Sequence, residues 1–291
     1  MIVNEVQLDL PPTPDISLLQ QTARKVRATC VQMAHDAQEG HLSGALSCVE
    51  ILVVLFSYFL RLPNGNPWSA QRDRFVFSKG HACAALYAVL AETGYIPAEW
   101  LSGYAVADSP LPNHPCKRAL AMLEMSSGSL GHGLGFATGM LYGLKMKNSP
   151  ARGIVLMSDG ECNEGSVWEA AMFARAQRLD RLIAIVDHNN HQAVGKHDEL
   201  NGFTSLGEKF RSFGWRAVEV DGNDIQELIQ ILDRVPFAKG RPAAVIAKTK
   251  AGAGITFMEN DQRWFYRTPT TEDLEAALQE LNVRPIHKGQ P

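Results

Sequence analysis

Cysteine is scarce in this 291-residue chain: the five residues, Cys30, Cys48, Cys83, Cys116 and Cys162, are odd in number and form no CxxC pair. This argues against a disulfide framework and a zinc site, and points to a reducing, cytoplasmic setting with all five as buried, inert thiols. A basic excess is missing too. Lys and Arg number 28 against 31 Asp and Glu, a net charge of −3 with no basic stripe, which argues against nucleic acid as a partner. Long apolar runs are also absent. The longest, Ile51 to Leu60, is broken by Ser57 and Tyr58 and reads as a buried helix rather than a membrane span. Met1 to Pro14 is acidic and proline-containing, not basic and then apolar, so it reads as an N-terminal extension and not a signal peptide.

What is present is a 45% hydrophobic chain, enough for a large core. Its segments alternate between short apolar runs and helical patterns. Asp15 or Ser17 is placed to cap a helix reaching about Gln38, Gly40 to Gly44 interrupts it, and Cys48 to Arg61 forms the next. Asp73 to Ser78 reads as a strand before a helix from Ala84 to Thr93, and Gly94 to Glu124 as an ordered excursion. A helix over Leu134 to Met146 carries Gly135, Ala137 and Gly139, small residues expected to admit a close neighbour. Strands come next at 154–157, 182–186, 215–220 and 243–249, with helices at 165–178 and 223–235 between them. Thr271 is expected to cap a last amphipathic helix, Glu272 to Leu281, within a C-terminal helix and tail over 270–291. The alternation predicts one α/β domain over 1–291, a mostly parallel sheet with helices on both faces.

The chemistry concentrates where two buried strands end. One runs into Ser158-Asp-Gly-Glu161 and the other into Asp187-His-Asn-Asn190, with one helical segment between. In one parallel sheet the crossover rule sets Asp159 beside Asn189 at the carboxyl edge, where open α/β sheets bind ligands. A carboxylate, an amide oxygen and backbone carbonyls suit Mg²⁺ shared with phosphate oxygens. Gly160 lets a diphosphate approach the backbone, and the N-terminus of the next helix faces its charge. Four histidines, His41, His81, His114 and His132, sit in glycine- or proline-marked loops, where a rigid scaffold presents functional side chains.

These motifs resemble the N-terminal, diphosphate-binding half of transketolase. The likeness rests on Gly-His-Leu-Ser-Gly at 40–44, Ser-Lys-Gly-His at 78–81, Asn-His-Pro at 113–115, Gly-Ser-Leu-Gly-His-Gly at 128–133 and Ser-Asp-Gly-Glu-Cys-Asn-Glu-Gly at 158–165. Asp-His-Asn-Asn at 187–190, Asp-Gly-Asn-Asp at 221–224 and Lys-Thr-Lys-Ala-Gly-Ala-Gly at 248–254 continue it in family order. The resemblance implies thiamine diphosphate and Mg²⁺ as cofactors, with Asp159, Asn189 and the His191 carbonyl as metal ligands. It implies diphosphate contacts from Gly160 and His81, and a backbone lining from Gly128, Ser129 and Leu130. It gives His41 and His114 a role in touching sugar hydroxyls and relaying protons, and Glu164 a place in a carboxylate network that reaches a second active site. His41, His81, His114 and Glu164 form the expected catalytic group. Glu161, in the same turn as Gly160, joins the cofactor-binding residues through helix N-terminal charge complementarity, while Glu169 reads as part of a solvated face.

The family's glutamate that activates the cofactor belongs to a second, pyrimidine-binding domain. The segment after Gly254 is shorter than the roughly 50 residues a domain needs. The resemblance therefore implies a split transketolase, with a separate C-terminal subunit, an α2β2 assembly and two-carbon ketol transfer between small sugars. Two departures stand out. Ser158 replaces the usual glycine before Asp159, and Phe265 comes after Trp264 where relatives carry a hydrogen-bonding histidine, leaving Tyr266 to take over or the donor to differ. The rival readings are the α subunit of a 2-oxo acid dehydrogenase, a non-catalytic cofactor-binding subunit, and a Mg²⁺-dependent phosphotransfer domain, which would need an acidic cluster at Asp159.

Overall fold

Five strands form a parallel sheet in the order β1-β2-β3-β7-β6: β1 Arg74–Phe77, β2 Gly153–Ser158, β3 Leu182–His188, β6 Arg216–Asp221 and β7 Ala243–Lys248. A two-stranded antiparallel pair, β4 His191–Gln192 and β5 Gly195–Lys196, comes after β3. The structure is a computed structural model that describes residues 14–63, 66, 68–202 and 204–285. Residues 1–13 of the expected N-terminal extension and 286–291 of the expected tail lie outside the described residues.

Every residue of β2 is buried, as a strand covered on both faces requires. Its side chains divide by parity. Ile154 and Leu156 join a core with helices α1 Ile16–Ala37, α2 Leu42–Ser47, α3 Val49–Val54, α4 Cys83–Glu92, α9 Ile225–Leu232 and α10 Thr271–Leu281. Val155 and Met157 join a second core with α5 His132–Met146, α6 Gly165–Ala176 and α8 Leu206–Ser212. The sheet thus has helices on both faces, and its carboxyl edge carries the loops after β1, β2, β3, β6 and β7.

Local signals set most boundaries. Asp15 caps α1 by accepting from the Leu18 N–H at 3.1 Å, and Gln38 ends it in the left-handed region. Some expectations are corrected. The second helix begins at Leu42, not Cys48, is interrupted at Cys48 and closes in a π turn over Leu55–Phe59; every residue from Leu42 to Leu55 is buried, so the helix is covered on all sides. Thr270, not Thr271, caps α10, in a reciprocal capping box with Asp273. The β4–β5 pair, the short α7 His197–Asn201 and α8 carry too little periodicity to be read locally. A Cβ on Gly135 or Gly139 would meet nothing within 4 Å among the described residues, so of the three small residues only Ala137 packs inward. Four cysteines are buried as expected, but Cys116 is half-buried and its thiol is held below the usual range by the Ala119 and Arg118 backbone N–H groups.

Candidate functional site at the carboxyl edge of the sheet

β2 and β3 are hydrogen-bonded neighbours in register from Gly153↔Leu182 to Ser158↔Asp187, so their next residues meet at the same edge. Asp159 is fully buried there. Its Oδ1 accepts from the Gly160 N–H at 2.7 Å and its Oδ2 from the Asn190 N–H at 2.8 Å, tying the end of one strand to the turn after the other. Asn189 Oδ1 accepts from the His191 N–H at 2.9 Å, and its Nδ2 donates to Ser47 Oγ at 3.1 Å. Asp159, Gly160, Asn189 and His191 are therefore together, and Gly160 faces the Gln192 side chain across the gap.

The chemistry of this donor set fits a hard cation. Burial, and next the nearby Asp187, push the Asp159 carboxyl up to about 7, so its negative charge is undercompensated in the free chain. A divalent ion beside it would supply the missing charge. Among the described residues no three His, Cys, Asp or Glu side chains cluster as a metal site, so a cation here would depend on amide and carbonyl oxygens. Nor is the acidic cluster required by a phosphotransfer domain found among the described residues, and Asp187 is already engaged by Lys79, Ser47 and Thr249.

Asp187 and Lys79 form the buried support of this edge. Lys79 donates to Asp187 Oδ2 and, at 2.8 Å, to the Gly44 carbonyl, and both side chains are fully buried. Burial would lower the Lys79 ammonium, but Asp187 holds it raised and charged. Ser47 donates to Asp187 at 2.6 Å and receives the Asn189 amide, and Thr249 also donates to Asp187. One chain of contacts therefore runs from the end of β1 through the end of β3 to Asn189. No single-residue signal marks Lys79, Asp187 or Ser47, although all three lie in or beside the motifs that carry the resemblance.

Glu161 is corrected. It is fully buried rather than a free charge at a helix start: it accepts from Ser78 Oγ, from the Gly131 N–H at the N-cap of α5 at 2.8 Å and from the Ser158 N–H at 3.4 Å. Burial raises its carboxyl, against the pull of these donors. It fixes the loop 128–131 to the end of β2 rather than presenting a free carboxylate. Gly128 there has φ +142°, and a Cβ would stand 3.2 Å from the His114 ring, so only glycine lets that loop pass the histidine. Gly128 and Ser129 are exposed and Leu130 half-buried, which leaves this backbone accessible. Glu164 is exposed at the N-cap of α6, with its stem against Gly131, and His132 is exposed at the start of α5. Glu169 is exposed, as expected.

His41 and His81 come together with ring centroids 6.1 Å apart. A Cβ on Gly44 would stand 3.2 Å from His81 Nε2, so α2 can approach the ring this closely only at glycine. Burial lowers the His41 pKa, and His114 adds to it; burial, Lys79 and the neighbouring imidazoles lower that of His81 further. Both rings are neutral at neutral pH, each with one donor and one acceptor nitrogen. Phe265 completes the cluster, 5.6 Å from His41 edge-on and 6.2 Å from His81 stacked, while its carbonyl accepts from the His41 N–H at 2.9 Å. Tyr266 stands 5.5 Å from His41 and is 63% exposed, so it presents its face to solvent beside the histidines.

This constellation can be placed among known proteins. Residues 18–286 match the family described as transketolase, thiamine diphosphate binding domain. The chain is 39% identical over 267 residues to the A subunit of apulose-4-phosphate transketolase from Actinobacillus succinogenes, covering 90% of this chain and 95% of that one. It is 36% identical over 263 residues to the 6-deoxy-6-sulfo-D-fructose transketolase subunit SqwG of a Clostridium strain, covering 90% and 96%. Among solved structures, transketolase from Campylobacter jejuni superposes with a TM-score of 0.86 at 28% identity, covering 94% of this chain and 44% of that one. The chain thus spans less than half of that transketolase and almost all of the two subunits. None of these relatives is a 2-oxo acid dehydrogenase. The chain belongs to the transketolase family, as a thiamine diphosphate binding domain.

Proposed function

We propose that this chain is the N-terminal subunit of a two-component transketolase that moves a two-carbon ketol unit from a ketose to an aldehyde, active with a separate C-terminal subunit. The observation that carries the reading is Asp159 accepting from the Asn190 N–H at 2.8 Å, which joins two strand ends into one oxygen-rich edge in a chain that matches 95% of a transketolase A subunit. Thiamine diphosphate, when bound, supplies a nucleophilic carbon and an electron sink for carbon–carbon cleavage.

Asp159, Asn189 and the His191 carbonyl would hold Mg²⁺, and Gly160 and His81 would face the diphosphate. Gly128, Ser129 and Leu130 would line the cofactor through backbone groups, positioned by Glu161. His41 and His114 would bind sugar hydroxyls; a neutral His41 can both donate to a hydroxyl and accept its proton. Glu164, exposed at the head of α6, would meet the partner subunit. The assembly we infer is an α2β2 heterotetramer in the cytoplasm. No described helix is long and apolar enough to cross a membrane. The two subunit relatives act on different sugars by name, which fits a shared cofactor half whose substrate choice lies partly in the other subunit.

Co-purification with the C-terminal subunit, followed by mass spectrometry of ketose and aldehyde mixtures, tests this. Products two carbons longer than the aldehyde are expected with both subunits, thiamine diphosphate and Mg²⁺, and none when either one is left out. Release of CO₂ from a 2-oxo acid without ketol transfer would instead establish the dehydrogenase reading. Cofactor binding without turnover in the full complex would establish a non-catalytic role.

A further inference from the structure

The opposite, amino-terminal edge of the sheet holds a cavity of about 760 Å³. It lies among the loops that lead into β2, β3 and β7 and the last turns of α5 and α6. Six basic side chains line it: Lys145, Arg175, Arg178, Arg181, Lys239 and Arg241. The single carboxylate in the lining is Asp180, and its Oδ2 already accepts from the Gly240 N–H at 2.7 Å. In a chain of net charge −3 this is a local reversal of sign.

Part of that charge has a structural use. Lys145 donates to the Gln177 carbonyl at 2.7 Å, Arg175 to the Gly240 carbonyl at 3.5 Å and Arg181 to the Ser149 carbonyl. Lys145 and Arg175 also face the negative ends of α5 and α6. Those contacts hold three cationic heads at the rim without neutralising them. Arg178, Lys239 and Arg241 are exposed and form no ion pair with an acid among the described residues. Leu141 and Leu179, both nearly fully buried, supply an apolar side to the same cavity.

We propose that this cavity binds a nucleoside polyphosphate, with the phosphates on Arg178, Lys239 and Arg241 and the base against Leu141 and Leu179. The volume suits a ligand of that size, clustered arginines favour phosphate through paired N–H donors, and the apolar side favours a ring over a bare anion. The cavity is separated from Asp159 by the length of β2, about 20 Å at roughly 3.3 Å per residue. Its ligand and thiamine diphosphate therefore occupy the chain together, and the inference stands apart from the reading of the carboxyl edge.

Isothermal titration of ATP into the full chain, already saturated with thiamine diphosphate and Mg²⁺ at about 0.15 M salt, tests the site. One ATP per chain is expected. Arg178→Glu/Arg241→Glu should weaken it at least tenfold while leaving the melting temperature and thiamine diphosphate affinity unchanged. Arg24→Glu/Arg234→Glu, which changes net charge equally elsewhere, should leave ATP binding within about twofold. No ATP binding, equal binding by the Arg178/Arg241 variant, equal loss in the charge-matched control, or displacement of ATP by further thiamine diphosphate would each overturn the assignment.

Discussion

Phe265 stacks on His81, with the two rings 25° apart and their centroids separated by 6.2 Å. A phenyl ring thus stands among imidazoles, and it can offer packing but no hydrogen bond to a substrate. Phe265→His should introduce a donor worth about 0.5–1.5 kcal/mol, a change of roughly two- to tenfold in kcat/KM for ketoses with a hydroxyl in reach. Comparing two ketoses that differ in that hydroxyl checks this; equal effects on both would show that Phe265 only fills space.

Asp159→Ala removes the carboxylate that ties the two strand ends together. Mg²⁺-dependent retention of thiamine diphosphate should fall at least a hundredfold, measured by calorimetry on the folded chain. In the unaltered chain a carboxyl with a pKa of about 7 makes a proton compete with the metal, so apparent affinity should drop about tenfold per pH unit below 7. The sign for stability is opposite. Because the folded pKa lies above the unfolded one, the metal-free chain should lose stability as pH rises through about 4 to 7, and Mg²⁺ with thiamine diphosphate should restore it.

Lys79 and Asp187 are both fully buried, so removing one partner strands the other charge. Lys79→Ala should destabilise the chain by about 3–5 kcal/mol in urea unfolding, far more than loss of an exposed pair such as Lys25–Glu92. A loss below about 1 kcal/mol would mean that Asp187 finds enough support from Ser47 and Thr249 alone.

Glu161→Gln keeps the shape of the side chain but turns one acceptor oxygen into an NH₂ group facing N–H and O–H donors. The loop 128–131 should loosen, and thiamine diphosphate affinity should fall about tenfold, for roughly 1.4 kcal/mol, with the fold intact by circular dichroism. Unchanged affinity would separate this carboxylate from the cofactor edge.

His41 and His81 are both lowered from their ordinary values, mainly by burial. The stability tied to their neutral forms is present above about pH 6.5 and lost as pH falls below it. Imidazole nitrogen spectra at about pH 6.5 should show both rings neutral, with His81 the last to protonate. A protonated His81 at that pH would contradict the buried cluster.

Much of this was legible along the chain because strand ends, caps and turns are local. Ile154 to Met157 and Leu182 to Val186 are recognisable as buried strands, and a parallel sheet brings the residues after each of them to one edge. The short β4–β5 pair and α8 were not legible, since segments of two to seven residues carry almost no periodicity. Glu161 misled for a different reason. A glutamate after a strand looks like a dipole partner, and its burial became apparent only with Ser78, which is 83 residues away, beside it.

The sequence by itself determined the element types, the oxygen-bearing strand ends and the histidine loops, because hydrophobic periodicity and turn chemistry act over a few residues. Tertiary structure alone decided that Lys79 neutralises Asp187 across 108 residues, that Phe265 closes on His41 and His81, and that six cations gather around one cavity at the far edge. Charge, burial and ring contact depend on which distant segments meet, and that is fixed when the helices pack onto the two faces of the sheet.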